Sequence, residues 1–167
     1  MSQPGAQALT VRFARPEDEA GWRLLWSGYC KFYSVDIPEA VTAETWRRCL
    51  DPKVPALRCL VADSQGPEGW GLVGFATLLE HLGTWSIEPV GYLEDLYVAE
   101  AQRKRGAGTA LMSACAAIGR QAGWRKLYWR TQAGNVTARA LYDRLGTRTD
   151  WVVYDWPLDP TGAPSRS

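Results

Sequence analysis

Between Val90 and Met112 the chain passes from an apolar, strand-like segment (Val90-Gly91-Tyr92-Leu93-Glu94-Asp95-Leu96-Tyr97-Val98) into a basic turn, and from there directly into residues of helical spacing. The turn, Gln102-Arg103-Lys104-Arg105-Gly106-Ala107-Gly108-Thr109, combines three cations with two glycines. Glycines let a ligand approach the backbone closely, and the first N–H groups of the following helix remain unbonded and face outward. A strand, turn and helix of this composition form a socket for phosphate, and a pyrophosphate uses both features. The remaining elements are read as support for that socket.

Taken in order, Leu9-Thr10-Val11-Arg12-Phe13-Ala14 alternates as a first strand and stops at Arg15-Pro16. Pro16 and the acids Glu17, Asp18 and Glu19 suit the first turn of a helix, which then carries Trp22, Leu25, Trp26, Tyr29 and Phe32 on one apolar face. Val35 to Pro38 breaks it. Thr42 is expected to cap a shorter helix that contains Trp46 and Leu50 and ends at Asp51-Pro52. Ala56 to Ala62 reads as a strand, Asp63 to Gly69 as a turn, and Trp70 to Leu82 as the second arm of an antiparallel hairpin. After the turn, a helix from Gly106 to Gln121 is closed by Gly123, and Lys126 to Thr131 forms a strand. A helix then starts at Gly134-Asn135 and runs to Gly146, and Trp151 to Trp156 is expected to be a last strand.

The predicted order is therefore β-α-α-β-β-β-α-β-α-β, an α/β fold with a mixed sheet covered by helices on both faces. At 167 residues one domain is expected, over residues 9–158, with short flexible ends at 1–8 and 159–167. The four cysteines have no C-x-x-C spacing, and His81 is the one histidine, so no metal is expected. No signal peptide or membrane span is read, which suits a cytoplasmic protein.

Charge is unevenly placed. Residues 102–148 hold ten Lys or Arg and one acid, whereas the rest of the chain holds nine bases and seventeen acids. That asymmetry suits an anionic ligand on one side and a cationic one on the other. Nucleic-acid binding is not expected, because the bases are spread over several elements and no recognition helix or stacking motif is present. The turn is not a nucleotide P-loop, for it lacks Gly-Lys-Ser/Thr, and G-x-G-x-x-G fails at Leu111.

The strand Tyr92 to Val98, the R-x-x-G-x-G turn and the small-residue helix resemble the acetyl-coenzyme A site of the GNAT N-acetyltransferase superfamily. Asn135, Tyr142 and Gly146 resemble the family's later motif N-x-x-(S/A)-x-x-(L/F)-Y-x-x-x-G. The resemblance spans about residues 9 to 158, and within the superfamily it is nearest to diamine acetyltransferases and to yeast-type histone and polyamine acetyltransferases. It implies that the backbone of Leu96, Tyr97 and Val98 pairs with the pantetheine arm of acetyl-CoA like an added strand. It also implies that Arg103, Lys104, Arg105, Gly106, Ala107, Gly108 and Thr109 hold the pyrophosphate, with Asn135 and Tyr142 near the arm and thioester sulfur. Lys104-Arg105 departs from the glycine that many members carry early in this turn.

The chemistry sets further requirements. An alkylammonium, with a pKa of about 10.4, must lose a proton before its nitrogen attacks a thioester. Glu94 or Asp95 could accept that proton, directly or through water, and since strand neighbours point to opposite faces, one of the two is expected to face the substrate. Resemblance to the diamine enzymes favours Glu94. A backbone N–H near Leu96 or Tyr97 is placed for the oxyanion, and Tyr142 is the candidate proton donor to the leaving thiolate. Cys115, mid-helix on an apolar face, reads as an inert buried thiol, and direct transfer is preferred because no nucleophile lies beside a base.

Asp36, Glu80, Glu88, Trp26, Tyr29, Phe32 and Trp85 are candidates for an amine pocket; His81 reads better as a surface or loop residue. The expected activity is transfer of acetyl to a primary amine, whether a polyamine, an amino acid or a lysine-like group on a small molecule or peptide. A catalytically silent acetyl-CoA sensor is the alternative. A homodimer formed through the aromatic last strand is also compatible with the sequence.

Overall fold

The computed structural model describes residues 8–54, 56–66, 69–156 and 158. Five strands form one sheet in sequential order: β1 (Leu9–Phe13), β2 (Leu57–Gly66), β3 (Gly69–His81), β4 (Val90–Val98) and β5 (Leu127–Trp129). The first three junctions are antiparallel and β4–β5 is parallel. That one parallel junction requires a crossover, which the turn after β4 and helix α3 (Ala107–Gln121) supply. Helices α1 (Glu19–Phe32) and α2 (Glu39–Leu50) precede β2, and α4 (Val136–Leu145) follows β5.

Alternation along the strands divides the apolar side chains into two cores. Leu60, Ala76, Leu78 and Leu93 pack with Leu111, Met112 and Cys115 of α3. On the opposite face Cys59, Val61 and Phe75 meet Trp22, Trp26, Tyr29 and Trp46 of α1 and α2. Trp22 stacks on Trp26 and Trp46 with ring centroids at 5.3 and 4.9 Å. Fully enclosed rings such as Trp22 and Phe75 each stabilise this packing by about 2–3 kcal/mol.

Four sequence expectations are corrected. Asp63 to Gly66 continue β2, because Asp63, Ser64 and Gln65 pair with Leu72, Gly71 and Trp70, which shortens the hairpin turn. Thr42 lies inside α2 and is buried, accepting a hydrogen bond from Trp26 Nε1 at 3.1 Å; Pro38 occupies the cap position. Pro16 to Asp18 form a separate 3₁₀ turn ahead of α1, where Asp18 receives the Arg12 guanidinium at 2.7 and 2.8 Å and the Arg15 N–H at 2.7 Å. Finally, Trp151 to Trp156 have no regular secondary structure. A strand needs a ladder partner and, in a one-layer contact, a buried face; here Trp151, Val152, Val153 and Tyr154 are all exposed in succession.

Candidate active site

The site begins where β4 and β5 part. Their pairing covers Gly91, Tyr92 and Leu93 against Leu127, Tyr128 and Trp129, and stops there. Beyond Leu93 no strand among the described residues lies beside the outer edge of β4, so the backbone from Leu96 to Val98 borders an opening rather than a ladder. The divergence coincides with a bulge: Thr77 pairs with Asp95 and Leu78 with Leu93, so the register shifts at Glu94.

The bulge also changes which face of the sheet the two carboxylates occupy. Leu93 and Leu96 both pack into the core under α3 although two residues separate them, whereas regular alternation allows one. Glu94 and Asp95 therefore both fall on the opposite face, the face of Tyr97, which packs with α1. The expectation that neighbouring carboxylates must point apart fails here for that reason. They differ instead in depth: Asp95 is buried opposite Thr77, and Glu94 is half-buried.

A cleft of about 630 Å³ opens at the divergence. One wall is Leu96, Tyr97 and Val98; the floor is Arg103, Lys104, Gly106, Ala107, Gly108 and Thr109; the far wall is α4 with Asn135, Leu141 and Tyr142. Of the proposed cofactor-binding residues, Arg105 alone stands apart from this lining, exposed and hydrogen-bonded through Nη1 to Gln102. Gly106 caps α3 with φ +92°, a left-handed conformation that costs a side-chain-bearing residue about 1–2 kcal/mol. Lys104 adopts φ +62° without being glycine, so the turn carries local strain at the point where cations face the cleft. At Gly108 a Cβ would meet Leu141 Cδ2 at 3.2 Å, so a side chain there would press α3 against α4.

Arg103 has a structural task as well as a charge. Its Nε donates to the Val98 carbonyl at 3.1 Å, and its guanidinium lies over the rings of Phe32 and Tyr97 at 5.7 and 5.8 Å. It thereby joins the end of β4, the turn and the end of α1.

On the far wall, Asn135 is the N-cap of α4, its Oδ1 accepting the Ala138 N–H at 3.2 Å, and the residue lines the cleft. Tyr142 packs against Trp129, ring centroids 5.3 Å apart. Burial, reinforced by the nearby Tyr33, pushes its phenol up to about 12. Tyr33 lines the cleft without having been singled out by the sequence. The adjacent Phe32 fell on the helical period, but Tyr33 follows the last turn of α1 and carries no motif.

The proposed amine-pocket residues are not gathered in one place. Trp26 and Tyr29 are buried and stacked on each other at 5.3 Å, and so belong to the core. Phe32 lines the cleft described above, Trp85 is exposed, and Glu80 accepts a hydrogen bond from Trp124 Nε1. His81 bonds through Nε2 with the Tyr128 hydroxyl at 3.0 Å. Cys115 is fully buried, and desolvation pushes its thiol up to about 12, which leaves it unreactive.

Comparison with known proteins adds to this geometry. Residues 22–147 match the Acetyltransferase (GNAT) family. The D-amino-acid N-acetyltransferase HPA3 of Saccharomyces cerevisiae is 34% identical over 146 residues, covering 87% of this chain and 89% of that protein. An aminoglycoside N(6')-acetyltransferase type 1 of Stenotrophomonas maltophilia is 34% identical over 162 residues, covering 93% and 98%. Among solved structures, the aminoglycoside N-acetyltransferase AAC(6')-Iy in complex with CoA shares the fold with a TM-score of 0.76 at 18% identity, covering 95% of this chain and 100% of that one.

Proposed function

The chain belongs to the GNAT acetyltransferase family, a family of acyltransferases, and from that premise we propose that it moves acetyl from acetyl-CoA directly to the primary amine of a small molecule, an amino acid before a polyamine. The observation that carries this reading is the cleft itself: the open edge at Leu96–Val98, the basic glycine turn and Tyr142 all border one cavity at the point where β4 and β5 separate. The amino acid is ranked first on the identity to a D-amino-acid N-acetyltransferase.

In this reading the pantetheine arm of acetyl-CoA lies along Leu96 to Val98, and its pyrophosphate sits at the start of α3, where N–H groups and the charge of Lys104 converge. The amine arrives mostly protonated. Glu94, half-buried at the bulge, takes one proton, directly or through water, and the freed nitrogen lone pair attacks the thioester carbonyl. Asp95 is the weaker candidate because it is enclosed opposite Thr77. A backbone N–H of β4 near Leu96 stabilises the oxyanion. The C–N bond forms, the C–S bond breaks, and the sulfur leaves toward Tyr142. With its phenol pushed up to about 12, Tyr142 is protonated at any working pH and is available to donate to that sulfur. Amide and free CoA thiol are the products, with one proton released overall.

The test is release of free thiol from acetyl-CoA in the presence of amino acids, polyamines, an aminoglycoside and a lysine peptide. Amine-dependent thiol release, with an amino acid giving the highest kcat/KM, supports the reading. Acetyl-CoA binding without release on any amine would overturn it.

A further inference from the structure

The face of the sheet on which the amine would arrive carries an unexpected cation. Leu127 and Trp129 of β5 pack into the core beneath α3, and Trp129 meets Tyr142 of α4. Tyr128 points to the other face, where its ring lies 4.8 Å from Tyr92 and its hydroxyl bonds His81. Half-buried and exposed residues alternate from Leu127 through Thr131, and this period of two, carried one step past the last paired residue, groups the exposed Arg130 with the exposed Tyr128. Lys126, two residues earlier, is on that face too, with Nζ 5.2 Å from the Tyr128 ring centre.

Register places Arg130 at the end of the β4–β5 pairing. Leu93 and Trp129 are the last matched pair, so Glu94 and Arg130 are the first residues of the two segments beyond it, where the strands begin to separate. Arg130 is exposed, and it forms an ion pair with Asp155 at 3.9 Å, too long for a hydrogen bond and with an exposed partner. The guanidinium therefore already stands near a carboxylate but is not tightly committed to it. It presents the planar fork that fits a carboxylate in a bidentate manner.

Resting on the acetyltransferase reading above, we propose that Arg130 recognises a carboxylate on the carbon that bears the acceptor amine, with the substrate's side chain lying along Tyr92 and Tyr128. The arrangement matches an α-amino acid group by group. The amine goes to Glu94 and the thioester, the carboxylate to Arg130 just beyond the end of β5, and an apolar side chain onto two rings. A polycationic amine fits this face poorly, since Lys126 and Arg130 would both repel it.

The experiment compares phenylalanine, phenylalaninamide and phenethylamine, the first two as both enantiomers, in the wild-type chain and in Arg130→Gln and Arg130→Lys. The readout is the kcat/KM ratio of acid to amide within each protein, so differences in the substrates' amine pKa cancel between wild type and variant. The wild type is expected to favour one enantiomer of the acid over its amide by at least tenfold. Arg130→Gln should bring that ratio to near one, mainly through a higher KM for the acid, and Arg130→Lys should recover part of it. A wild type that acetylates all three without preferring the acid overturns the Arg130 assignment and leaves the acetyltransferase reading intact. Equal losses on acid and amide in Arg130→Gln, with the ratio unchanged, also overturn the assignment, since a structural role would have that effect. A wild type that acetylates none of the three, nor any other amine, ends both.

Discussion

Arg103 Nε donates to the carbonyl of Val98 at 3.1 Å, which ties the last residue of β4 to the first cation of the turn. The two walls that would hold the arm and the pyrophosphate of acetyl-CoA are thus fixed to each other before any ligand arrives. Pre-arranged walls spare the ligand the cost of ordering them.

Replacing Arg103 by Ala removes a charge-assisted hydrogen bond and two ring contacts, a loss of about 1.5–3 kcal/mol. The expected outcome is a rise in the acetyl-CoA KM of roughly tenfold to a hundredfold, by the conversion of 1.4 kcal/mol per factor of ten. The amine KM should change much less. Initial-rate measurements with each substrate varied in turn check this.

Tyr142→Phe keeps the ring against Trp129 and deletes only the hydroxyl. Its melting temperature should stay near wild type while kcat falls by roughly 10²-fold, the usual scale for a lost proton donor. The pH profile carries a second check. A donor works while protonated, and with its phenol at about 12 the protonated form is lost only near and above that pH. The wild-type kcat should therefore show no alkaline decline below pH 10.

Gly91→Ala addresses stability apart from the site. A Cβ at this position would overlap the Trp124 ring, which lies directly on the backbone of β4. Overpacking of this kind costs about 2–3 kcal/mol, or roughly 5–10 °C in Tm for a chain of this size. Differential scanning calorimetry reads it directly.

Asp18 anchors the 3₁₀ turn through Arg12 and the Arg15 N–H. The hydrogen bonds from Arg12 hold its carboxyl below the usual carboxylate value. Because the folded pKa is depressed, this contribution is complete above pH 3.8, the ordinary value, and is lost as pH falls through the lower, folded one. Asp18→Asn should cost about 2 kcal/mol at pH 7. The difference in unfolding free energy from wild type should shrink as pH drops below about 4.

Much of this was legible in the sequence because local chemistry decided it. Gly106 and Gly108 at a strand-to-helix junction mark a backbone that must turn tightly and stay open, and the structure puts positive φ at Gly106. The apolar period of α1 put Trp22, Trp26 and Tyr29 on one face, and the structure buries that face. Non-local pairing was not legible. Nothing in Glu94 announces that it faces a bulge, since that depends on Thr77 and Leu78 of another strand. Trp151 to Trp156 has strand-forming residues, but propensity cannot supply a partner. Tyr33 enters the site through where α1 happens to end.

Two-substrate kinetics test the central claim, single-step transfer at the divergence of β4 and β5, most directly. Free thiol is followed while acetyl-CoA and an amino acid are varied together, and again with acetyl-CoA alone. Direct transfer predicts reciprocal plots that intersect and no burst of thiol without the amine. Parallel plots with a stoichiometric burst, leaving an acetylated protein, would contradict it.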